Sequence, residues 1–192
     1  LTGIVHSEAR ASHLVDQLLA LALADEAMPH QTVQLDELVR ETVLRFWPRA
    51  DAAGVDLGAR GLEKSVTVQG QPALIEGILN NLIDNAMRYG CTESNPKPQI
   101  TVALLREGDT LVLSVVDNGP GIPLPQQNRL LQRGTQGADG ERLGQGAGLG
   151  LSIVARYAQL LGAHLEMGAG PQNRGLDVRL VFPAPSHAAP PD

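Results

Sequence analysis

Apolar residues at the start of the chain recur with the spacing of a helix that packs against another helix. Between residues 4 and 26 they fall at steps of seven, three, four and three, with most charges off that line: Ile4, Ala11, Leu14, Leu18 and Leu21. Because Pro29 cannot continue a helix, one long helix is predicted over residues 1–28. Its apolar stripe predicts packing against a helix outside this chain or a second copy, or alternatively against the domain that follows.

Beyond residue 30 the pattern alternates between helical and strand periods. Apolar positions at three- and four-residue steps predict helices over 36–53, 71–89 and 149–161. Short β-branched or alternating runs predict strands at 55–57, 66–68, 99–105, 110–116, 164–167 and 176–182. Hairpins separated by helices favour an α+β fold, a two-layer sandwich with helices on one face of a mixed sheet. We expect this domain to cover 29–183, with a frayed tail over 184–192.

Single residues predict where several of these elements begin and end. Asp36 is expected to cap its helix, and Pro48 to kink or end that helix. Pro72 suits the first turn of the next helix, and Gly162 suits the end of the last one. Gly108 marks a hairpin turn between two strands.

Composition excludes several classes of protein. The chain has 192 residues, of which 43% are hydrophobic and 19% charged, as in a soluble globular domain. Fifteen basic and 21 acidic residues give a net charge of −6, which disfavours general nucleic-acid binding. The single cysteine, Cys91, excludes an internal disulfide and a cysteine-rich zinc site. No apolar run approaches the roughly 18 residues of a membrane span.

Three polar residues share one side of the helix predicted over 71–89. Asn81, Asn85 and Arg88 follow steps of four and three. Asparagine is a poor helix former, an amide oxygen suits Mg²⁺, and an arginine suits phosphate. A solvated helix face would show the same stripe, so the stripe alone leaves both interpretations open.

An aspartate leaves the strand predicted over 110–116 and enters a glycine-containing turn. A buried carboxylate at Asp117 can accept a hydrogen bond from an exocyclic amine, and Gly119 and Gly121 leave room for a flat ring. An ordinary turn capped by the aspartate is the alternative.

A run of glycines opens the helix predicted from residue 149. Glycines at 144, 146, 148 and 150 expose backbone N–H groups next to the positive end of the helix dipole, which favours phosphate binding. The run is neither a Walker loop nor a dinucleotide fingerprint, because no Gly-Lys-Ser/Thr follows and no strand precedes it. A flexible linker is disfavoured by the apolar residues that follow directly.

In order and type, these motifs resemble the ATP-binding domain of sensor histidine kinases, DNA gyrase, heat-shock-90-type chaperones and mismatch-repair ATPases, the Bergerat fold. Within that group the chain resembles the bacterial two-component sensor histidine kinases over about residues 35–183. Residues 81–89 are similar to their N box, 117–122 and 146–154 to their two glycine boxes, and 173–183 to their closing strand. Residues 12–22 resemble the second helix of their dimerisation and phosphotransfer hairpin.

The resemblance implies a role for each motif residue. Asn85 would ligate Mg²⁺, with Asn81 supporting the site or the phosphates, and Arg88 and Arg133 would reach phosphate. Asp117 would recognise the adenine amino group. The rest of the implied nucleotide site comprises Tyr89, Gly119, Gly121 and Ile122 at the nucleoside and Gly146, Gly148, Leu149 and Gly150 at the phosphates. Residues 124–146 would form the lid, which here lacks the phenylalanine that the family usually carries.

The resemblance also implies a reaction and partners. A protein histidine kinase passes the γ-phosphoryl of Mg-ATP to a histidine, and a response-regulator aspartate receives it next. That histidine would lie upstream, since neither His6 nor His13 is followed by the family's acidic residue and Thr-Pro pair. The whole protein would dimerise through the helical hairpin, and this chain would be the cytoplasmic portion of an inner-membrane protein.

Other functions remain as alternatives. The missing lid phenylalanine would suit a catalytically degenerate nucleotide-binding and dimerisation module. A gyrase-type ATPase would need a glutamate at Asn81 to activate water, which disfavours that reaction. The bundle-type first helix disfavours a serine kinase.

Overall fold

The structure covers most of the predicted main domain. The computed structural model describes residues 31–91, 95–127 and 148–183, without the side chains of residues 148 and 149. The predicted helix over 1–28, with His6 and His13, lies outside these residues. So do most of the predicted lid, with Arg133 and Gly146, and the predicted tail over 184–192.

The described residues contain three long helices and seven strands. The helices are α1 (Leu35–Ala52), α2 (Pro72–Asn85) and α3 (Gly148–Leu160). The strands are β1 (Gln31–Gln34), β2 (Asp56–Arg60), β3 (Thr67–Gly70), β4 (Gln99–Glu107), β5 (Thr110–Asp117), β6 (His164–Ala169) and β7 (Leu176–Phe182). A π-helical turn, Ala86–Gly90, extends α2, and a 3₁₀ turn, Pro171–Asn173, lies between β6 and β7.

Five of the strands form one mixed sheet in the order β2-β4-β5-β7-β6. Strands β2 and β4 pair in parallel, and the other neighbours pair antiparallel. Strands β1 and β3 form a separate antiparallel ribbon. The predicted α+β fold with a mixed sheet is confirmed.

The core lies between one face of the sheet and the three helices. Directly paired residues share a face of a sheet, and Val102, Val115 and Val178 are paired across β4, β5 and β7. All three are buried in one cluster with the inner sides of α1, α2 and α3. The opposite face carries polar partners, among them a 2.7 Å hydrogen bond from Ser114 to Asp177.

Helices α2 and α3 approach each other closely where α2 has a glycine. A Cβ atom on Gly77 would lie 2.5 Å from Cε2 of Tyr157, whose side chain is fully buried. The predicted start of α2 at Pro72 is confirmed, as is the end of α3 before Gly162, which has a φ of +65°.

The predicted cap of α1 is wrong, and so is one of the two effects predicted for Pro48. Asp36 lies inside α1, and its Oδ1 accepts a 2.8 Å hydrogen bond from the backbone N–H of Val66 instead of capping the helix. Pro48 does not end α1, which continues to Ala52, and a kink at Pro48 stays a prediction. The last turn stays helical because Ala50 is fully buried and its carbonyl accepts a hydrogen bond from Val55.

The strand predictions are confirmed within a few residues, but β1 was missed. Strands β4, β5 and β7 match their predicted ranges most closely. In β1 only Val33 is buried, so four residues give no recognisable alternation. No helix among the described residues has the length and apolar character that crossing a membrane requires.

Candidate functional site

A cavity of about 260 Å³ opens where α2, its π-helical turn, β5 and α3 meet. Five of the residues predicted for the site line it: Asn85, Tyr89, Asp117, Gly121 and Ile122. The structure therefore brings together residues that are separated by more than thirty positions in the sequence.

Asp117 is held in a buried position at the end of β5. Its pairing with Ile100 places it on the helix-covered face of the sheet, and it is 8% exposed. Its Oδ1 accepts a 2.9 Å hydrogen bond from the N–H of Gly119, and the backbone of Leu176 donates a second bond. Burial raises the pKa of the Asp117 carboxyl, and the two backbone donors partly offset that effect.

Glycines surround Asp117 because the chain packs against it without room for side chains. A Cβ on Gly90 would lie 2.7 Å from Cγ of Asp117. A Cβ on Gly175 would overlap the carbonyl oxygen of Asp117, and one on Gly119 would overlap the carbonyl of Gly90. Gly119 therefore permits a close backbone contact, whereas the sequence predicted that it would make room for a ring.

Asn85 lies between α2 and α3 at the edge of the cavity. A Cβ on Gly150 would lie 2.8 Å from Nδ2 and 2.9 Å from Oδ1 of Asn85. The buried Nδ2 has no hydrogen-bond partner in the described part of the chain. An amide with unused capacity at a cavity edge is available to a ligand.

The three polar residues predicted on one side of α2 have different neighbours. Asn81 donates a 2.8 Å hydrogen bond from Nδ2 to the carbonyl of Gly77, one turn earlier. The half-exposed side chain of Arg88 pairs with Asp84 at 3.1 Å. Asn81 and Arg88 are not among the described residues that line the cavity.

The glycine run meets the site at the start of α3. The helix begins at Gly148, so Gly148, Leu149 and Gly150 form its first turn. Gly146 and Arg133 lie outside the described residues. The predicted phosphate contacts of this run remain predictions.

Sequence analysis missed the apolar walls of the cavity and Gly90. The walls comprise Leu82, Val115, Leu151, Leu176 and Val178. Each belongs to an ordinary apolar run, so only the tertiary structure distinguishes it from other core residues. Gly90 follows the N box directly, and its position was the one available signal.

Cys91 lies next to this site, half-buried at the end of the π-helical turn. Burial raises the pKa of its thiol, and the neighbouring negative charge of Asp117 raises it further. A thiol with a raised pKa is a poor nucleophile near neutral pH.

Comparison with known proteins agrees with this geometry. Residues 70–186 match the family described as "Histidine kinase-, DNA gyrase B-, and HSP90-like ATPase". Sensor protein QseC of Escherichia coli K12 is 33% identical over 166 residues, which cover 85% of this chain and 35% of QseC. Sensor protein kinase PmrB of Pseudomonas aeruginosa is 29% identical over 196 residues, which cover all of this chain and 40% of PmrB.

Solved structures show the same fold. The cytoplasmic segment of histidine kinase QseC is 27% identical, with a TM-score of 0.59, and the match covers 92% of this chain and 95% of that one. The catalytic domain of histidine kinase ThkA is 22% identical, with a TM-score of 0.67, and the match covers 82% and 97%.

The extent of the matches is unequal. The chain spans less than half of the length of these curated relatives, 35% of QseC and 40% of PmrB. The family pattern, in contrast, covers more than half of the chain and includes every described residue that lines the cavity. The chain therefore belongs to the histidine kinase-, DNA gyrase B- and HSP90-like ATPase family, and its relatives within it are sensor histidine kinases.

Proposed function

We propose that this chain is the ATP-binding catalytic part of a sensor histidine kinase. It binds Mg-ATP and donates the γ-phosphoryl to a histidine on an upstream helix, from which a response-regulator aspartate receives it. The observation that carries this proposal is the buried Asp117 carboxylate, which shares one apolar-walled cavity with Asn85.

The cavity suits an adenine ring. Asp117 supplies an acceptor for the exocyclic amine, and the N–H of Gly119 holds that carboxylate at 2.9 Å. Leu151, Leu176 and Val178 provide apolar walls on which a flat ring can pack. Tyr89, which is 37% exposed, stands at the edge, where the ribose would lie.

The residues present also fit a magnesium ion. The described residues contain no cluster of three or more His, Cys, Asp or Glu that could hold a metal. Mg²⁺ does not need such a cluster, because it keeps water and phosphate oxygens and takes one or two protein ligands. Asn85 would hold the ion through Oδ1, and the ion would neutralise phosphate charge.

Phosphoryl transfer asks the protein mainly for positioning and charge neutralisation. The first turn of α3 would bind phosphate through its N–H groups, with Gly146 and Gly150 giving close access. Arg88 and Arg133 would supply positive charge. Asn81 would stabilise the helix turn before Asn85 through its hydrogen bond to the carbonyl of Gly77. No residue described here is proposed to receive the phosphoryl group.

The whole protein would act as a dimer and with a response regulator. We expect dimerisation through the helical hairpin that residues 1–28 would complete, and attachment to the inner membrane through an upstream part. The degenerate module is not favoured, because Asn85 and Asp117 are both in place at the cavity. Its only support was the missing lid phenylalanine, and most of the lid lies outside the described residues.

Base recognition can be tested with Asp117→Asn. We expect the preference for ATP over GTP analogues to fall by at least about tenfold, since a hydrogen bond to a charged group contributes roughly 1.5–3 kcal/mol. Calorimetry with both analogues measures it. Asp177→Asn, on the opposite sheet face with Ser114, is the control and should keep the parent preference. An unchanged preference in Asp117→Asn would show that Asp117 does not recognise the base.

The metal site can be tested with Asn85→Ala. We expect the parent to bind a non-hydrolysable ATP analogue more tightly with Mg²⁺ than without it, and the variant to lose that difference. Asn80→Ala is the matched control, because Asn80 lies on the same helix and accepts a hydrogen bond from Arg45 at 2.8 Å. Full Mg²⁺ dependence in Asn85→Ala would refute the metal role.

A further inference from the structure

A line of charged and amide side chains joins α1 to α2. On α2 the acceptors stand four residues apart, at Glu76, Asn80 and Asp84, and so lie on one face. Arg45 of α1 donates to Glu76 at 2.7 Å and to Asn80 at 2.8 Å. Arg49, one turn later on α1, pairs with Asp84 at 2.7 Å.

Asp84 holds a second guanidinium as well. Its Oδ1 binds Arg49, and its Oδ2 binds Arg88 at 3.1 Å, so each carboxylate oxygen has one arginine partner. Arg88 lies one turn after Asp84, and this ion pair draws its side chain back along the helix. Arg88, held in this pair, is not among the described residues that line the cavity with Asn85 and Tyr89.

We propose that Asp84 is a positioning residue that holds Arg88 away from the nucleotide and competes with phosphate for it. The inference rests on the proposed function, in which Arg88 contacts a phosphate of ATP. Carboxylate and phosphate oxygens both bind the N–H donors of a guanidinium, and Asp84 takes Nη2 of Arg88, so phosphate competes with it for this side chain. Nucleotide binding then carries the cost of weakening the Asp84–Arg88 pair.

Arg49 connects this competition to α1. Because it occupies the other oxygen of Asp84, it draws part of the carboxylate charge away from Arg88. A shift of α1 relative to α2 would change how strongly Arg88 is retained. The side chains of Arg49 and Arg88 are half exposed, so the effect tunes affinity and does not switch binding on or off.

The test is Asp84→Asn, an isosteric change that removes the charge. Calorimetry should show roughly two- to fivefold tighter binding of a non-hydrolysable ATP analogue, the range that an exposed ion pair allows. Binding of adenosine, which has no phosphate, should not change. Glu76→Gln is the matched control: it breaks the Arg45 pair on the same helix face and should leave both affinities at the parent value.

The same change in a variant that lacks Arg88 separates this role from a general effect of charge. In Arg88→Met, the further change Asp84→Asn should no longer tighten binding of the ATP analogue. A gain that persists without Arg88, or an equal gain in Glu76→Gln, would overturn the proposal. Unchanged or weaker ATP-analogue binding in Asp84→Asn would overturn it too.

The opposite change gives an independent check. Arg49→Met should weaken ATP-analogue binding by up to about twofold, because Asp84 then holds Arg88 alone. Arg45→Met should not weaken it, and equal losses would point to surface charge. If the parent chain binds no ATP analogue at all, the proposed function itself fails. If it binds and these variants do not differ, only the role of Asp84 is refuted.

Discussion

Asp117 occupies a position that disfavours its own charge. The carboxylate is buried, yet it keeps two backbone donors, Gly119 and Leu176, that favour the ionised form. Burial is the larger effect, so the pKa of Asp117 is raised above its ordinary value. This buried acceptor suits the proposed recognition of an amine donor, and the folded chain carries the resulting destabilisation when no donor is bound.

The raised pKa of Asp117 predicts that the stability of the fold depends on pH. The folded pKa of Asp117 exceeds the unfolded value, so parent stability falls as pH rises from about 3.9 through the raised value and stays lower above it. Asp117→Asn has no such group. We expect its free energy of unfolding to exceed that of the parent at neutral pH and the difference to narrow on acidification.

Urea denaturation of both proteins from about pH 3 to about pH 8 measures this difference. The amide of Asn can still accept the Gly119 hydrogen bond, which keeps the comparison close to a change of charge alone. A difference that stays constant with pH would show that burial does not govern the carboxyl.

At the scale of elements, the connection from β6 to β7 shapes the site from outside it. Gly170 and Gly175 flank the 3₁₀ turn, and both pack on the carbonyl oxygen of Asp117. Gly175 also has a φ of +73°, which side chains rarely allow. Asp117 is thus held at its backbone by a segment more than fifty residues later in the chain.

Gly175→Ala should therefore cost more than about 2 kcal/mol of unfolding free energy, from strain at positive φ and from overlap. Binding of the ATP analogue should weaken with it. Gly168→Ala is the matched control, because a Cβ there meets nothing within 4 Å. Its stability should stay within about 0.5 kcal/mol of the parent. Equal stability of the two variants would contradict the packing described here.

At the scale of the whole molecule, aliphatic side chains dominate the core, and Tyr157 is the largest fully buried side chain of the described residues. Aromatic residues make up only 3% of the chain. Tyr157, a residue of α3, is fully buried against Gly77 of α2. Removal of this ring would leave a large void, so the core depends strongly on it.

Tyr157→Ala should lower the free energy of unfolding by about 3–5 kcal/mol, as expected for an aromatic ring removed from a packed core. Chemical denaturation measures the loss. Trp47→Ala provides the comparison, because Trp47 is 52% exposed on α1. That change should cost less than about 1 kcal/mol. Similar losses of unfolding free energy at both positions would show that the core does not depend strongly on Tyr157.

Local patterns were enough to predict the long elements and the fold class. Periods of two and of three to four residues reflect which side chains face a core, so α2, α3, β4, β5 and β7 could be predicted. The motif residues that line the cavity at Asn85 and Asp117 also came from short-range spacing. Local signals failed where a partner distant in sequence decides the outcome, as at Asp36 and β1.

The sequence by itself determined which residue types form the candidate site, namely asparagine, aspartate and glycine, because each motif is a contiguous segment. Tertiary contacts decided which neighbours those residues have. Asn85 packs against Gly150, Gly119 makes room for Gly90, and Gly175 packs on Asp117. These outcomes depend on distances between segments far apart in sequence, and such distances exist only once the helices have packed on the sheet.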